Sequence, residues 1–333
     1  MASSTQIQTQ AIVCRPPQDG KRKWVLKKVA LSPPADDEVI VEMVATGICH
    51  TDFVCGSVPD EALPLGLPPY PRVLGHEGPD SLIILIIEIL WGQINFSGIR
   101  GAFSSLENPR EEIGGSFFGQ SSFSRLTRVK ECSVVKVTDL IENDEQLKVL
   151  TPFGCGVQTG VGTITELANA QPADTIAVLG LGAVGLAAIM GAKIRGCKTI
   201  IGVDRVASRL ELAKSLGATH TVDTGNIKGT LTDQVREITE GVGTTITVDA
   251  SGAFPLIQQG VEFTANQGKS GKSIQGSMEG GVFPEKYIPK FIHWFNAGEL
   301  PMDRLVKFYL VEDYLKAIKD MEDGVTIKPV LIW

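Results

Sequence analysis

The hydrophobic and polar positions of the chain follow two different patterns, which change near residue 150. The first part contains short stretches rich in valine and isoleucine, separated by clusters of proline, glycine and aspartate, and this pattern predicts strands joined by turns. The predicted strands are residues 11–14, 24–29 and 38–46. Residues 79–115 show no clear period apart from the apolar run 81–91.

After residue 150, short apolar runs alternate with stretches of helical spacing. Strands are predicted at residues 175–179, 199–203, 220–222 and 245–248, and helices at 183–195, 208–216 and 230–239. Strands that alternate with helices form right-handed βαβ units around a parallel sheet. The tail is predicted to contain helices at 288–297 and 311–323 and a final strand at 328–333.

Length and composition indicate an ordinary globular protein. The 333 residues correspond to about two domains, and the net charge of -7 makes nucleic acid or an anionic membrane an unsuitable main partner. The six cysteines do not form a disulfide framework in a chain of this length. The first residues show no secretory signal, and Glu88 interrupts an apolar run already too short to span a bilayer. We therefore expect a cytoplasmic protein without a membrane partner.

A glycine-rich segment follows the predicted strand 175–179 and opens the next helix. Its sequence is Gly180-Leu-Gly182-Ala-Val-Gly185. The first glycine permits a tight turn, the second lets the backbone approach a pyrophosphate, and the third lets the helix pack on the strand. The helix N-terminus then offers free N–H groups to phosphate, which predicts a dinucleotide-binding site.

Asp204 ends the next predicted strand. A carboxylate there can accept both hydroxyls of an adenosine ribose and repels a 2′-phosphate, so NAD is favoured over NADP. The adjacent Arg205 weakens this preference because a guanidinium can contact a 2′-phosphate. A surface aspartate without a ligand is the alternative.

Cys49, His76 and Cys155 are candidate metal ligands in glycine-flanked turns. Each is predicted to lie at a flexible, exposed point of the chain. No CxxC spacing supports the grouping, and from the residues alone, buried free cysteines and an ordinary histidine are the more economical interpretation.

Several motifs together resemble the zinc-dependent medium-chain alcohol dehydrogenases. They are GICHTD, GHEG, GCGVQTG, GLGAVGL, IIGVD and IKPVLIW, in the order of that family. FFGQSSF and GSMEGG resemble its benzyl- and aryl-alcohol branch, which is common in fungal secondary metabolism. The resemblance implies an α/β fold with a GroES-like β-barrel catalytic domain at residues 1–153. It further implies a doubly wound Rossmann NAD(P)-binding domain at 154–286 and a return to the catalytic domain at 287–333.

The resemblance also implies roles for individual residues. Cys49, His76 and Cys155 would hold one catalytic zinc ion, Glu77 would approach it, and Asp52 would orient the histidine ligand. Thr51 would relay the alcohol proton, and the cofactor would be contacted by His50, Thr159 and Arg209. Helix capping by Thr51 and Asp52 and a solvated Glu77 are the alternatives. The implied reaction interconverts a primary, aromatic or allylic alcohol and its aldehyde with NAD(H); NADP is the alternative cofactor.

The chain departs from the family pattern in three places, one of which is Val54, where some members have a histidine three residues after the relay hydroxyl. No four-cysteine cluster is present, so a structural zinc is not expected, and the segment after Gly78 replaces a family strand. A second family strand is absent after residue 268. A homo-oligomer is expected if this loss does not prevent it. A zinc-free reductase of the quinone or enoyl type is disfavoured because such proteins lack these ligands. A non-catalytic remnant that still binds a dinucleotide stays open.

Overall fold

The computed structural model divides the chain into two compact units. It describes residues 7–19, 21–59, 67–80, 83–85, 89–90, 93–94, 98–266 and 272–333. One unit comprises Met1–Cys155, Ile288–Ile292 and Met302–Trp333, and the other comprises Gly156–Tyr287 and His293–Pro301. Most of the apolar run 81–91 and the point of the absent strand after residue 268 lie outside the described residues.

Eighteen strands are found in the described residues. They are β1 Ile7–Gln18, β2 Lys21–Leu31, β3 Glu38–Glu42, β4 Ala45–Gly47, β5 Arg72–Val73, β6 Ile83–Leu85, β7 Ile89–Leu90, β8 Gln93–Ile94, β9 Ile99–Ser105, β10 Glu112–Gly115, β11 Leu126–Lys130, β12 Val134–Lys136, β13 Thr175–Leu179, β14 Thr199–Asp204, β15 His220–Asp223, β16 Ile246–Asp249, β17 Val306–Leu310 and β18 Lys328–Ile332.

Nine α-helices are found in the same residues, besides short 3₁₀ turns and one π-helical turn. They are α1 His50–Cys55, α2 Asp144–Val149, α3 Gly156–Gly162, α4 Ala183–Ile194, α5 Ala207–Leu216, α6 Leu231–Ile238, α7 Phe254–Phe263, α8 Pro284–Asn296 and α9 Tyr314–Glu322.

The first unit is built on a closed β-barrel with strand order β1-β2-β9-β10-β5. Strands β1 and β2 pair antiparallel along most of their length, from Ile7 opposite Leu31 to Gln18 opposite Lys21. Four consecutive residues of β1, from Ala11 to Cys14, are buried, because the strand is covered on both faces. Closure leaves the barrel strands without a free edge.

A second sheet of the same unit brings the end of the chain to its beginning. Its order is β17-β18-β4, and Val330 of β18 lies opposite Gly47 of β4. The backbone N–H of Ile48 donates to the carbonyl of Pro329 at 3.0 Å. The C-terminal strand therefore lies beside the segment that leads to Cys49.

The second unit contains a four-stranded parallel sheet of order β15-β14-β13-β16. Because β14 and β16 lie on opposite sides of β13, the strand order reverses there, as in doubly wound folds. Strand β13 matches the predicted residues 175–179, and α4 and α5 begin or end within one residue of their predicted bounds. The predicted α/β class, a barrel with a doubly wound parallel sheet, is confirmed.

Three parts of the first unit differ from the predicted elements. The strand expected at residues 38–46 is divided into β3 and β4, because the β3–β11 ladder ends at Glu42. The backbone N–H of Met43, between the two strands, donates to the carbonyl of Arg125 at 2.7 Å. The stretch without a clear period contains the barrel strands β9 and β10, and each of these strands is only partly buried. The predicted helix at 311–323 begins as a 3₁₀ turn, so α9 starts at Tyr314.

The helices in the described part of the chain include none long and apolar enough to cross a bilayer.

Two glycines of the glycine-rich turn are expected to differ in their importance for folding. A Cβ at Gly185 would overlap the carbonyl oxygen of Gly180, whereas a Cβ at Gly182 would meet no described atom within 4 Å. Gly182 also has a φ of -77°, which any residue adopts. We expect Gly185→Ala to lower the free energy of unfolding by about 2–3 kcal/mol and Gly182→Ala to leave it within about 0.5 kcal/mol of wild type.

Urea denaturation followed by circular dichroism measures both variants. Equal losses in the two would show that the helix does not pack on the turn as described.

Candidate metal centre and dinucleotide cradle

Three segments of the first unit bring four metal-binding side chains to one point. Cys49 precedes α1, His76 and Glu77 lie in the loop after β5, and Cys155 follows a 3₁₀ turn at Thr151–Gly154. One donor atom from each of the four lies within 4.8 Å of the others. The two sulfur atoms are 4.0 Å apart, and none of the six cysteines forms a disulfide bond.

The burial of these side chains differs from the sequence prediction. The candidate ligands were expected at exposed points, but His76 and Glu77 have 0% exposure and Cys155 has 8%; Cys49 is half-buried. The prediction was wrong because glycine-flanked turns are usually at the surface, whereas here Cys155 belongs to the barrel core and Cys49 packs against it.

The donor set fits a zinc ion. The Nε2 atom of His76 is buried and makes no hydrogen bond within the described part of the chain, so it is left as a free lone pair or N–H. Tetrahedral zinc with bonds of about 2.3 Å to sulfur places two thiolates about 3.8 Å apart. The observed Cys49–Cys155 separation of 4.0 Å is close to this value.

Asp52 joins two of the ligand segments. Its Oδ2 atom accepts from the backbone N–H of Cys49 at 2.9 Å, and its Oδ1 accepts from that of Gly75 at 3.1 Å. Oδ1 also lies 3.1 Å from Nδ1 of His76. A carboxylate here fixes the tautomer with the proton on Nδ1, which leaves Nε2 free for a metal. Capping of α1 and orientation of His76 are therefore both tasks of this one side chain.

Glu77 is paired with a lysine that the sequence patterns did not identify. The Nζ atom of Lys328 lies 2.7 Å from Oε1 and 2.6 Å from Oε2 of Glu77, and it donates to the carbonyl of Ile48 at 3.2 Å. Since Lys328 has 2% and Glu77 has 0% exposure, a solvated Glu77 is excluded. The available signal was a lysine inside the apolar final segment IKPVLIW, where an unpaired charge would be costly.

The charges of the cluster shift the pKa of each member. A hydrogen bond with Cys155 lowers the pKa of the Cys49 thiol well below its usual value, and the charges of Lys328 and His76 lower it further against the effect of burial. Burial by itself would lower the pKa of His76, but Asp52 and the Cys49 thiolate raise it. Burial also raises the pKa of Glu77, which Lys328 opposes. The ionisation of each member of the cluster therefore depends on the charges of the others.

Thr51 and His50 lie at the start of α1, next to the first ligand. The hydroxyl of Thr51 is 3.7 Å from the Cys49 sulfur, and the side chain is half-buried. His50 is exposed, and its ring lies 6.1 Å from that of Phe53 in an edge arrangement. One hydroxyl is therefore close to the metal-binding atoms while the neighbouring imidazole is open to solvent.

Within the second unit, the glycine-rich turn forms an open backbone cradle. Gly180 has a φ of +87°, and a Cβ on it would lie 2.8 Å from Ser251. Gly182 is the N-cap of α4, with free space above it, as a phosphate-binding backbone requires. The arrangement fits a pyrophosphate, which a side chain at Gly182 would displace.

The carboxylate of Asp204 is more fully used by the protein than predicted. Oδ1 accepts from the backbone N–H groups of Arg205 at 2.7 Å and Val206 at 2.9 Å, and Oδ2 accepts from that of Leu181 at 2.7 Å. Because each carboxylate oxygen has about two acceptor sites, the open capacity is on Oδ2. The guanidinium of Arg209 approaches this oxygen at 3.9 Å.

The remaining predicted cofactor residue, Thr159, lies on α3 of the second unit. Its side chain is half-buried, and its carbonyl accepts from the hydroxyl of Thr163. The structure thus places Gly180, Gly182, Gly185, Asp204, Arg209 and Thr159 in the second unit and the candidate metal ligands in the first.

Replacing Asp52 is expected to weaken both folding and metal binding. Asp52→Asn leaves the backbone N–H groups of Cys49 and Gly75 with a neutral partner and removes the charge facing His76. We expect a loss of about 2–4 kcal/mol in the free energy of unfolding and a loss of about 10–100-fold in zinc affinity. Asp37→Asn, at an exposed ion pair with Lys130, is the matched control and should change neither.

Unfolding in urea and competition for zinc with a chromogenic chelator measure the two effects. If Asp52→Asn behaves like Asp37→Asn in both assays, the assignment of Asp52 as the orienting group is wrong.

The cysteines are expected to react at very different rates in the metal-free protein. Burial raises the pKa of both Cys14 and Cys55 to about 12, whereas that of Cys49 is lowered. A lowered pKa keeps the thiolate present at neutral pH, so Cys49 should be alkylated by iodoacetamide at least about a hundredfold faster than Cys14 or Cys55. The two slow cysteines should gain reactivity only as the pH rises towards 12.

Peptide mapping by mass spectrometry follows each thiol, and added zinc should protect Cys49. Modification of Cys14 or Cys55 at the rate of Cys49 would contradict the environments described for them.

Comparison with known proteins identifies relatives along nearly the whole chain. The family model described as zinc-binding dehydrogenase matches residues 183–295. A geraniol dehydrogenase of Castellaniella defragrans is 29% identical over 92% of this chain and 94% of its own length. A protein of Pseudomonas sp. described as a probable alcohol dehydrogenase is 33% identical over 67% of this chain and 77% of its own.

Solved structures lead to the same family. A crystal structure of benzyl alcohol dehydrogenase from Acinetobacter calcoaceticus is 30% identical, with a TM-score of 0.80 over 98% of this chain and 99% of that one. An alcohol dehydrogenase zinc-binding domain protein from Burkholderia ambifaria is 29% identical, with a TM-score of 0.84 over the same shares. The chain is a member of the zinc-containing medium-chain alcohol dehydrogenase family.

Proposed function

We propose that the protein interconverts a primary alcohol and its aldehyde by hydride transfer with NAD(H), with one zinc ion as its metal. The observation that carries the proposal is the convergence of Cys49, His76, Glu77 and Cys155 within 4.8 Å. The geraniol and benzyl alcohol dehydrogenases among its relatives support an allylic or aromatic alcohol as substrate.

Cys49, His76 and Cys155 are the proposed zinc ligands. Two thiolates and one neutral imidazole leave a fourth coordination position, which catalytic zinc sites keep for water or substrate. When bound, zinc supplies Lewis acidity, which lowers the pKa of an alcohol hydroxyl and polarises an aldehyde carbonyl.

Thr51 is the proposed relay of the alcohol proton. Its hydroxyl is 3.7 Å from the Cys49 sulfur, so it would be close to a substrate oxygen at a zinc ion held by that sulfur. Oxidation removes two electrons from the substrate: the carbinol carbon would give its hydride to NAD⁺, and Oγ1 of Thr51 would take up the hydroxyl proton while it releases its own proton, so that the threonine stays neutral. The exposed His50 lies next to Thr51 in the chain.

Glu77 and Lys328 balance charge behind the ligands. The Nζ atom of Lys328 lies within 2.7 Å of both carboxylate oxygens, and this pairing opposes the rise that burial causes in the pKa of Glu77. Together with Asp52, the Glu77–Lys328 pair keeps the imidazole and both sulfurs in a fixed electrostatic environment. Preorganised charges of this kind need no rearrangement when charge develops on the substrate.

The second unit is the proposed NAD-binding domain, and the first is the catalytic domain. The open backbone at Gly182 and the N-terminus of α4 would hold the pyrophosphate. Oδ2 of Asp204 has capacity for one ribose hydroxyl, while Arg209 at 3.9 Å from it contacts the same ribose. The carboxylate disfavours a 2′-phosphate, so NAD is the preferred cofactor, although Arg205 and Arg209 moderate the preference.

A combined metal, cofactor and activity assay tests the function. Purified protein should contain one zinc per chain by elemental analysis and reduce NAD⁺ with benzyl or allylic alcohols. Cys49→Ser should lose the zinc and reduce kcat/KM by at least about a thousandfold, since Lewis-acid stabilisation contributes several kcal/mol. Cys132→Ser, a half-buried cysteine outside the cluster, is the matched control.

Gly182→Ala tests the cofactor side, because it should weaken NADH binding in a fluorescence titration while zinc content stays normal. Folded, zinc-free protein, or full turnover in Cys49→Ser, would overturn the proposal. Protein that binds NADH and zinc but oxidises no alcohol would instead identify a non-catalytic member of the family.

A further inference from the structure

We infer that Phe117 and Phe118 are positioning residues that fix the His76 ring as a metal ligand. This inference rests on the zinc site of the proposed function. It adds that the strained turn containing these two aromatic residues holds the imidazole of His76 in place. The ring of His76 lies 5.0 Å from that of Phe118 and 5.6 Å from that of Phe117, in tilted and edge arrangements. The two phenyl rings are 4.5 Å apart, so together they form one aromatic wall against the imidazole.

The backbone of this turn has a conformation that its side chains do not favour. Phe118 has φ 52° and ψ 36°, and Ser116 has φ 61° and ψ 31°, both in the left-handed region. Bulky residues without a compensating contact avoid this region, and such strain is retained where the surrounding structure requires it. The turn holds a phenylalanine at position 118, where a glycine would be unstrained, which indicates that its ring is needed.

Hydrogen bonds tie the turn to the segment that leads into His76. The Ser121 hydroxyl donates to the carbonyl of Val73 at 2.8 Å and accepts from the backbone N–H of Phe117 at 3.1 Å. The backbone N–H of Ser122 donates to the carbonyl of Gly75 at 3.0 Å. The position of the two rings is therefore set relative to His76 by its immediate chain neighbours.

The wall completes the restraint on the imidazole. Asp52 holds Nδ1 at 3.1 Å, but one hydrogen bond leaves the ring free to tilt about it. The phenyl rings pack against the imidazole at 5.0 and 5.6 Å and so restrict this tilt, and His76 and Phe117 have 0% exposure. Nε2 then stays directed at the two sulfurs, and water is kept from the buried imidazole, so exchange of this ligand should be slow.

Zinc release is the measurement that separates this role from a purely structural one. Phe118→Ala and Phe118→Gly should each release zinc to a chromogenic chelator at least about ten times faster than wild type, and Phe118→Leu should restore part of the loss. The glycine variant removes the backbone strain as well as the ring, so fast release from it identifies the ring as the cause. The matched control is Phe103→Ala, which truncates a barrel-core phenylalanine of 1% exposure that makes no described ring contact with His76.

Cobalt substitution gives a second readout that does not depend on turnover. The visible absorption bands of the cobalt protein should change in Phe118→Ala and stay unchanged in Phe103→Ala. Release from Phe118→Ala and Phe118→Gly within twofold of the Phe103→Ala rate, with unchanged cobalt bands, would overturn the inference. Wild-type protein that holds no zinc would overturn the proposed function as well, so the two failures are distinguishable.

Discussion

The carboxylate of Asp52 is the constraint on which the candidate metal centre depends. It is fully buried, and it takes the backbone N–H of Cys49, the backbone N–H of Gly75 and the imidazole of His76. A buried carboxylate is stable only when its acceptor sites are filled. Its three partners come from two ligand-bearing segments far apart in the chain, so satisfying this one side chain aligns both segments.

A second balance of charge surrounds the ligands. Lys328 faces the carboxylate of Glu77 and is therefore not an unpaired buried cation. Burial by itself would lower the pKa of Lys328, but Glu77 and the two cysteines of the cluster raise it. Buried ion pairs add little stability by themselves, but removing one partner leaves a costly uncompensated charge. The pair is therefore best understood as part of the electrostatics of a cation site, to which the final strand β18 contributes its first residue.

The parallel-sheet unit was the easier part to predict, and the reason is local. Strand β13 and helix α4 each carry an uninterrupted pattern, and the glycines between them require only the turn they form. In the barrel, the stretch that contains β9 and β10 has no clear alternation, because its strands are stabilised by partners on β2 and β5. The resemblance to a known family supplied the candidate metal ligands of the first unit, whereas their spacing in the sequence did not decide between a metal site and free cysteines.

The sequence by itself determined the class of fold, the glycine-rich turn and which residues are candidates for metal and cofactor binding, since these depend on neighbours along the chain. Only the tertiary structure decided that Cys49, His76 and Cys155 meet, that they are buried, and that Lys328 faces Glu77. Barrel closure and the pairing of β18 with β4 create those contacts. Contacts between residues so distant in sequence depend on strand register and packing, which no local pattern encodes.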